Sequence, residues 1–217
     1  MRKHTKLFVL VAALLAVLAL SDVAAPFEKV ATYQDGTFTD VGTQWYAKEV
    51  KSAYELGFVN GKTANSYDPN GTMTVAEAIT LASRVHASYN NNTIATVTGK
   101  WYMMYVEYAK QYGIFEEGYF NSYDRTVRRY EMAQLFANAL PADYFPAKNA
   151  VTAIPDVNEN EEYADMLLTL YKAGVVMGSD AFGTFNPEHN ITRAEAAAII
   201  NRVALPENRL SKTLDAV

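Results

Sequence analysis

Apolar positions recur in the same phase in three stretches of this chain. Tyr46, Val50, Ala53 and Gly57 form the first set, Tyr102, Val106, Ala109 and Gly113 the second, and Tyr163, Leu167, Leu170 and Gly174 the third. Steps of four, three and four put such side chains on one face of a helix, so helices are predicted over 45–57, 101–113 and 162–174. The closing glycine suits a left-handed C-terminal cap, where a β-carbon is penalised. Each glycine is followed by a loop carrying turn residues: Tyr67-Asp68-Pro69, Tyr123-Asp124 and Phe185-Asn186-Pro187. A second helix then begins, aligned on Glu77, Glu131 and Glu195. Its apolar face reads Ala78, Leu81, Ala82 and Val85, then Met132, Leu135, Phe136 and Ala139, then Ala196, Ile199, Ile200 and Val203.

The expected fold is therefore mainly α, built from three helix-loop-helix repeats. The glycine-to-glycine spacings of 56 and 61 residues fit a repeat array better than one irregular domain. One helix pair cannot bury its apolar face alone, so the three units should associate into one body. The boundaries expected are 26–89, 98–141 and 154–206 for the repeats and 207–217 for a loosely held tail. Connectors lie at 90–100 and 142–153.

Composition changes the picture in three ways. Arg2, Lys3 and Lys6 precede an apolar run of 14 residues at 7–20, shorter than the ~20 needed to cross a bilayer, so 1–25 reads as a secretory signal peptide. Cleavage after Ser21 and cleavage after Ala25 compete, and an uncleaved anchor is the alternative. Zero cysteines among 217 residues exclude disulfides, thiolate zinc sites and cysteine nucleophiles. The formal charge is −5, and cleavage after Ala25 would leave 16 basic against 23 acidic residues. A nucleic-acid binder usually carries a basic surplus, so nucleic acid is not an expected partner, nor is a membrane after cleavage.

The third unit carries Ile154-Pro155-Asp156-Val157, Ala173-Gly174-Val175-Val176-Met177-Gly178, Phe185-Asn186-Pro187 and Ile191-Thr192-Arg193-Ala194-Glu195. The first carries Phe38-Thr39-Asp40-Val41, Trp45, Gly57 and Gly61, followed by Thr74-Val75-Ala76-Glu77, and the second reads Arg128-Arg129-Tyr130-Glu131. These motifs resemble the S-layer homology family, which occurs as triplets on exported bacterial surface proteins. The resemblance covers nearly all of the mature chain. It implies a pseudo-threefold bundle with one helix per unit at the centre and grooves between units. It also implies a non-catalytic anchor that holds secondary cell-wall polysaccharide, often through a pyruvylated N-acetylmannosamine.

Several residues then have two readings. Thr74 with Glu77, and Thr192 with Glu195, form a capping box, with Glu131 at the matching place in the second unit. Arg193 is not needed for capping, and a cation in the first turn faces the positive end of the helix dipole. A pyruvate carboxylate would explain it, gripped by Arg193 and its counterpart Arg129 with Arg128 as an extra cation, and assisted by helix-start amides. The other reading of these arginines is an ion pair with a neighbouring unit. Val75 stands where the first unit would have this arginine, so the groove depending on it should be weakened. Trp45 and Trp101 offer faces for sugar stacking or for burial, and Glu162 replaces them in unit three. Asp40 and Asp156 are read as turn residues, and the segment from Asp156 lacks the glycine and closing glutamate of a calcium loop.

Catalysis has little support. His86 and His189 lie in different units without metal-ligand spacing, and Ser52, Ser83 and Ser179 sit in no nucleophile motif. No catalytic residue, metal or cofactor is expected. The competing class is a structural or protein-interaction module whose tyrosine-rich surface binds another surface protein or itself.

Overall fold

The computed structural model describes residues 27–211, and the signal peptide expected at 1–25 lies outside the described residues. Regular structure among these residues is six α-helices: α1 (Ala47–Glu55), α2 (Val75–Asn90), α3 (Met103–Gln111), α4 (Arg129–Asn138), α5 (Ala164–Ala173) and α6 (Arg193–Ala204). Two 3-10 turns, Ala142–Tyr144 and Pro206–Asn208, complete it.

The two kinds of helix are stabilised differently. α1, α3 and α5 have only nine or ten residues and no side-chain cap at their N-termini. Isolated helices that short are marginal in water, so packing of one apolar face must hold them. Each ends at a glycine with positive φ: Gly57 at 73°, Gly113 at 68° and Gly174 at 75°. α2 and α6 instead begin with complete capping boxes. The Thr74 and Thr192 hydroxyls accept from the Glu77 and Glu195 amides, and each glutamate accepts from its threonine's amide at 2.8 and 2.9 Å. α4 keeps half of this device. Glu131 accepts from the Arg128 amide at 2.9 Å, but arginine has no acceptor to return.

The extensive helix packing is between units rather than within them. α3 lies on α2, α5 on α4, and α1 closes the circle on α6. Asn201 of α6 donates to the Glu49 carbonyl and carboxylate of α1 at 2.8 and 2.7 Å. Ser83 of α2 donates to the Tyr105 carbonyl of α3 at 3.1 Å. Tyr130 and Tyr163 stack where α4 meets α5, with ring centroids 4.4 Å apart.

At the centre, the residues just before the three second-helix caps form a ring. Met73 N–H donates to Ile191, Ile191 to Val127, and Val127 back to Met73, at 3.2, 3.4 and 2.9 Å. All three side chains are buried. The next amides extend the same exchange. Val75 and Ala76 donate to the Arg125 and Tyr123 carbonyls, Arg129 and Tyr130 to His189 and Pro187, and Arg193 and Ala194 to Gly71 and Pro69. Each second helix therefore satisfies its first amides on a neighbouring unit's loop.

Asp40 and Asp156 pin those loops. Asp40 accepts from the Tyr67 and Asp68 amides at 2.8 Å and from the Ser66 hydroxyl at 2.7 Å. Asp156 accepts from the Phe185 and Asn186 amides at 2.7 and 2.6 Å. Of the tail expected to be loosely held at 207–217, residues 207–211 are described, and these are packed. Arg209 is buried between the rings of Tyr144 and Phe145, and the Leu210 amide donates to the Gly174 carbonyl at 2.9 Å. Ring contacts and further hydrogen bonds, such as those from Lys148 to the Arg209 carbonyl and from Asn149 to the Leu210 carbonyl, hold this segment, and none has a periodic sequence signal.

Candidate functional site

Three clefts lie between units, and each is lined by a capping glutamate and by the residue at the tryptophan position. The first, of about 350 Å³, is lined by Lys62, Glu77 and Arg84 of unit one, Trp101 of unit two and Arg193 of unit three. The second, of about 210 Å³, takes Ser179, Glu195 and Arg202 from unit three, Trp45 from unit one and Arg129 from unit two. The third, of about 450 Å³, takes Tyr119, Glu131 and Gln134 from unit two and Glu161 and Glu162 from unit three. Each cleft thus draws its second helix from one unit and the residue at the tryptophan position from the next.

Trp45 and Trp101 are exposed, at 64% and 60%, rather than buried. Each indole lies nearly perpendicular to the ring of the tyrosine after it, with centroids 5.5 Å apart, and lines its groove. Arg193 and Arg129 form the floors. Arg193 donates to the Tyr67 and Asn60 carbonyls at 2.8 Å, lies over the Tyr67 ring, and approaches Glu77 at 3.5 Å. Arg129 donates to the Phe185 carbonyl at 2.8 Å, lies over the Phe185 ring, and pairs with Glu195 at 2.9 Å. Much of each guanidinium is thereby committed within the protein, and the cross-unit ion pair is present at both. The helix-start amides are also spent, since α6 and α4 donate theirs to loop carbonyls, so they are not open to an anion. Arg128 is not brought to these floors; it pairs with Glu188 at 2.7 Å beside the third cleft.

Sequence reasoning passed over Arg84 and Arg202. Both line the basic grooves, and neither forms a salt bridge among the described residues. Arg84 donates to the Phe58 carbonyl at 2.8 Å, and Arg202 only to the Val175 carbonyl at 3.4 Å. Burial pushes the Arg202 guanidinium below its usual value, an effect Glu49 partly offsets. A signal existed: each arginine stands seven residues, two helical turns, after its capping glutamate, where unit two has Asn138. Lys62, 3.3 Å from Glu77, adds a third cation to the first groove.

Glu77 balances that groove. Burial alone would raise its carboxyl, but the Thr74 amide, Lys62 and Arg193 outweigh it and hold the group below its ordinary value. The third cleft has the opposite character. Its tryptophan position is Glu162, its cross-unit arginine position is Val75, and Glu131, Glu161 and Glu188 add carboxylates.

Residues 37–79 and 153–197 match the S-layer homology domain, and the intervening segment lies outside both matches. The chain is 28% identical over 186 residues to an amylopullulanase of Thermoanaerobacterium thermosulfurigenes, covering 82% of this chain and 10% of that protein. It is 26% identical to an exoglucanase of Acetivibrio thermocellus, over 80% of this chain and 17% of the relative. It is 25% identical to an S-layer protein of Bacillus thuringiensis subsp. finitimus, over 76% and 21%. The chain therefore spans at most about a fifth of the length of these relatives. The shared domain is a cell-surface anchoring module, itself non-catalytic, and it places the chain among exported cell-surface proteins.

Proposed function

Because this chain carries S-layer homology domains, we propose that it anchors to the wall by binding an anionic, pyruvylated secondary cell-wall polysaccharide in its two basic grooves. The observation that carries this reading is the pairing, in both grooves, of an exposed indole with a guanidinium, Arg84 or Arg202, that forms no salt bridge among the described residues. A sugar ring stacks on Trp101 or Trp45. Its ketal carboxylate meets Arg84 or Arg202, while Arg193 or Arg129 supplies the cationic floor from a neighbouring unit. A charge-assisted hydrogen bond of this type contributes roughly 1.5–3 kcal/mol. Two grooves engaging one polymer raise the apparent affinity further by avidity.

The test is sedimentation with wall sacculi, intact or stripped of their secondary polysaccharide. Wild type should pellet with intact walls only, and Arg84→Ala/Arg202→Ala should stay in solution while melting as a folded protein. If wild type ignores intact walls yet forms concentration-dependent oligomers, the protein-interaction module replaces the glycan reading.

A further inference from the structure

Each of the three capping glutamates accepts from its cap residue's amide, but their guanidinium partners come from different places. Glu77 faces Arg193 and Glu195 faces Arg129, each arginine reaching across from another unit. By the same rotation Glu131 should face residue 75, but Val75 is fully buried and uncharged. Glu131 is buried too, at 3% exposed, and a lone carboxylate there would be costly.

We propose that Arg125, from the shortened loop of unit two, replaces the arginine absent at position 75 and acts as a clamp for Glu131 rather than as a ligand-binding group. Its guanidinium meets both carboxylate oxygens, at 2.9 and 2.5 Å, the two-pronged arrangement a planar fork favours. A third donor contact goes to the Thr126 carbonyl at 2.9 Å, and the guanidinium lies over the Phe120 ring. The Arg125 carbonyl meanwhile accepts from the Val75 amide at 2.9 Å, so one residue joins the unit-one helix start to the unit-two cap. The loop before α4 is two residues shorter than its counterparts, which brings Arg125 within six positions of Glu131. Relocating the cation holds this junction together but leaves the third cleft without a cross-unit floor. That this cleft takes no anionic sugar rests on the glycan reading above; the clamp itself does not.

A double-mutant cycle tests it. Arg125→Ala should lower Tm by on the order of 5–10 °C, because it strands a buried carboxylate. Glu131→Gln keeps an acceptor for the Arg128 amide while removing the charge, so Arg125→Ala/Glu131→Gln should melt above Arg125→Ala alone. Held below its midpoint, Arg125→Ala should pellet with intact walls as wild type does. Losses that simply add would overturn the clamp, as would an unchanged Tm accompanied by lost pelleting, which would make Arg125 a ligand contact. The melts need no wall, so failure of wild type to pellet would sink the glycan reading and leave the clamp to the cycle.

Discussion

Tryptophan and arginine at equivalent positions have different standing in this molecule. Trp45 and Trp101 are exposed and spend little of their surface on the core, so replacing either by alanine should leave stability within about 0.5 kcal/mol. Wall binding should nevertheless fall several-fold for each, read by sedimentation beside a thermal melt. The acids behave differently, because their hydrogen bonds are formed only in the fold. Burial would raise Asp40, but the Tyr67 and Asp68 amides and the Ser66 hydroxyl outweigh it and hold it below the ordinary carboxylate range, as with Glu77. A depressed folded-state value contributes stability that is complete above the unfolded value and lost as pH falls through the folded one. Tm should therefore hold through neutral pH and drop in the acid range below about pH 4. Asp40→Asn should flatten part of that drop, and melts across pH 2–7 check it.

Helix ends explain why the elements stop and start where they do. The phase of apolar residues and the three closing glycines are legible in the chain itself, as are the boxes at Thr74 and Thr192. The reason is that capping and left-handed φ are set by residues within one turn of each other. Gly174 carries a further constraint. Its φ of 75° disfavours any β-carbon, and one placed there would overlap the Leu210 carbonyl oxygen. Gly174→Ala should cost more than the ~1 kcal/mol usual for a left-handed site, and Gly113→Ala less, since a β-carbon at Gly113 meets nothing within 4 Å. Urea unfolding of the two variants measures the difference.

Across the whole molecule, charge is sorted between clefts that share one architecture. Two offer cations and an indole; the third offers Glu161 and Glu162, its Glu131 being held by Arg125 and its Glu188 by Arg128. A soluble pyruvylated saccharide should therefore titrate to two equivalents per chain by calorimetry, with Arg84→Ala and Arg202→Ala each removing one. Salt should weaken binding less than it weakens a phosphate binder, because the net charge of −5 offers no long-range attraction to screen. In the repeat register Val75 takes the place opposite Glu131 that Arg193 and Arg129 take opposite Glu77 and Glu195, but Arg125 was not legible. Its role needs the distance to Glu131, and nothing in the repeat register marks a loop arginine.

By itself the sequence determined where helices occur, to within about two residues at their ends, and the positions that recur among them. These follow from interactions between residues three or four apart, which leave a periodic trace in the chain. Only the tertiary structure decided that helices pair across units rather than within them, and which tryptophan faces which arginine. Arg193 meets the Tyr67 carbonyl across 126 residues of chain. Periodicity tells which face of a helix is buried, not what it is buried against, and a groove made by three units exists only once that partner is chosen.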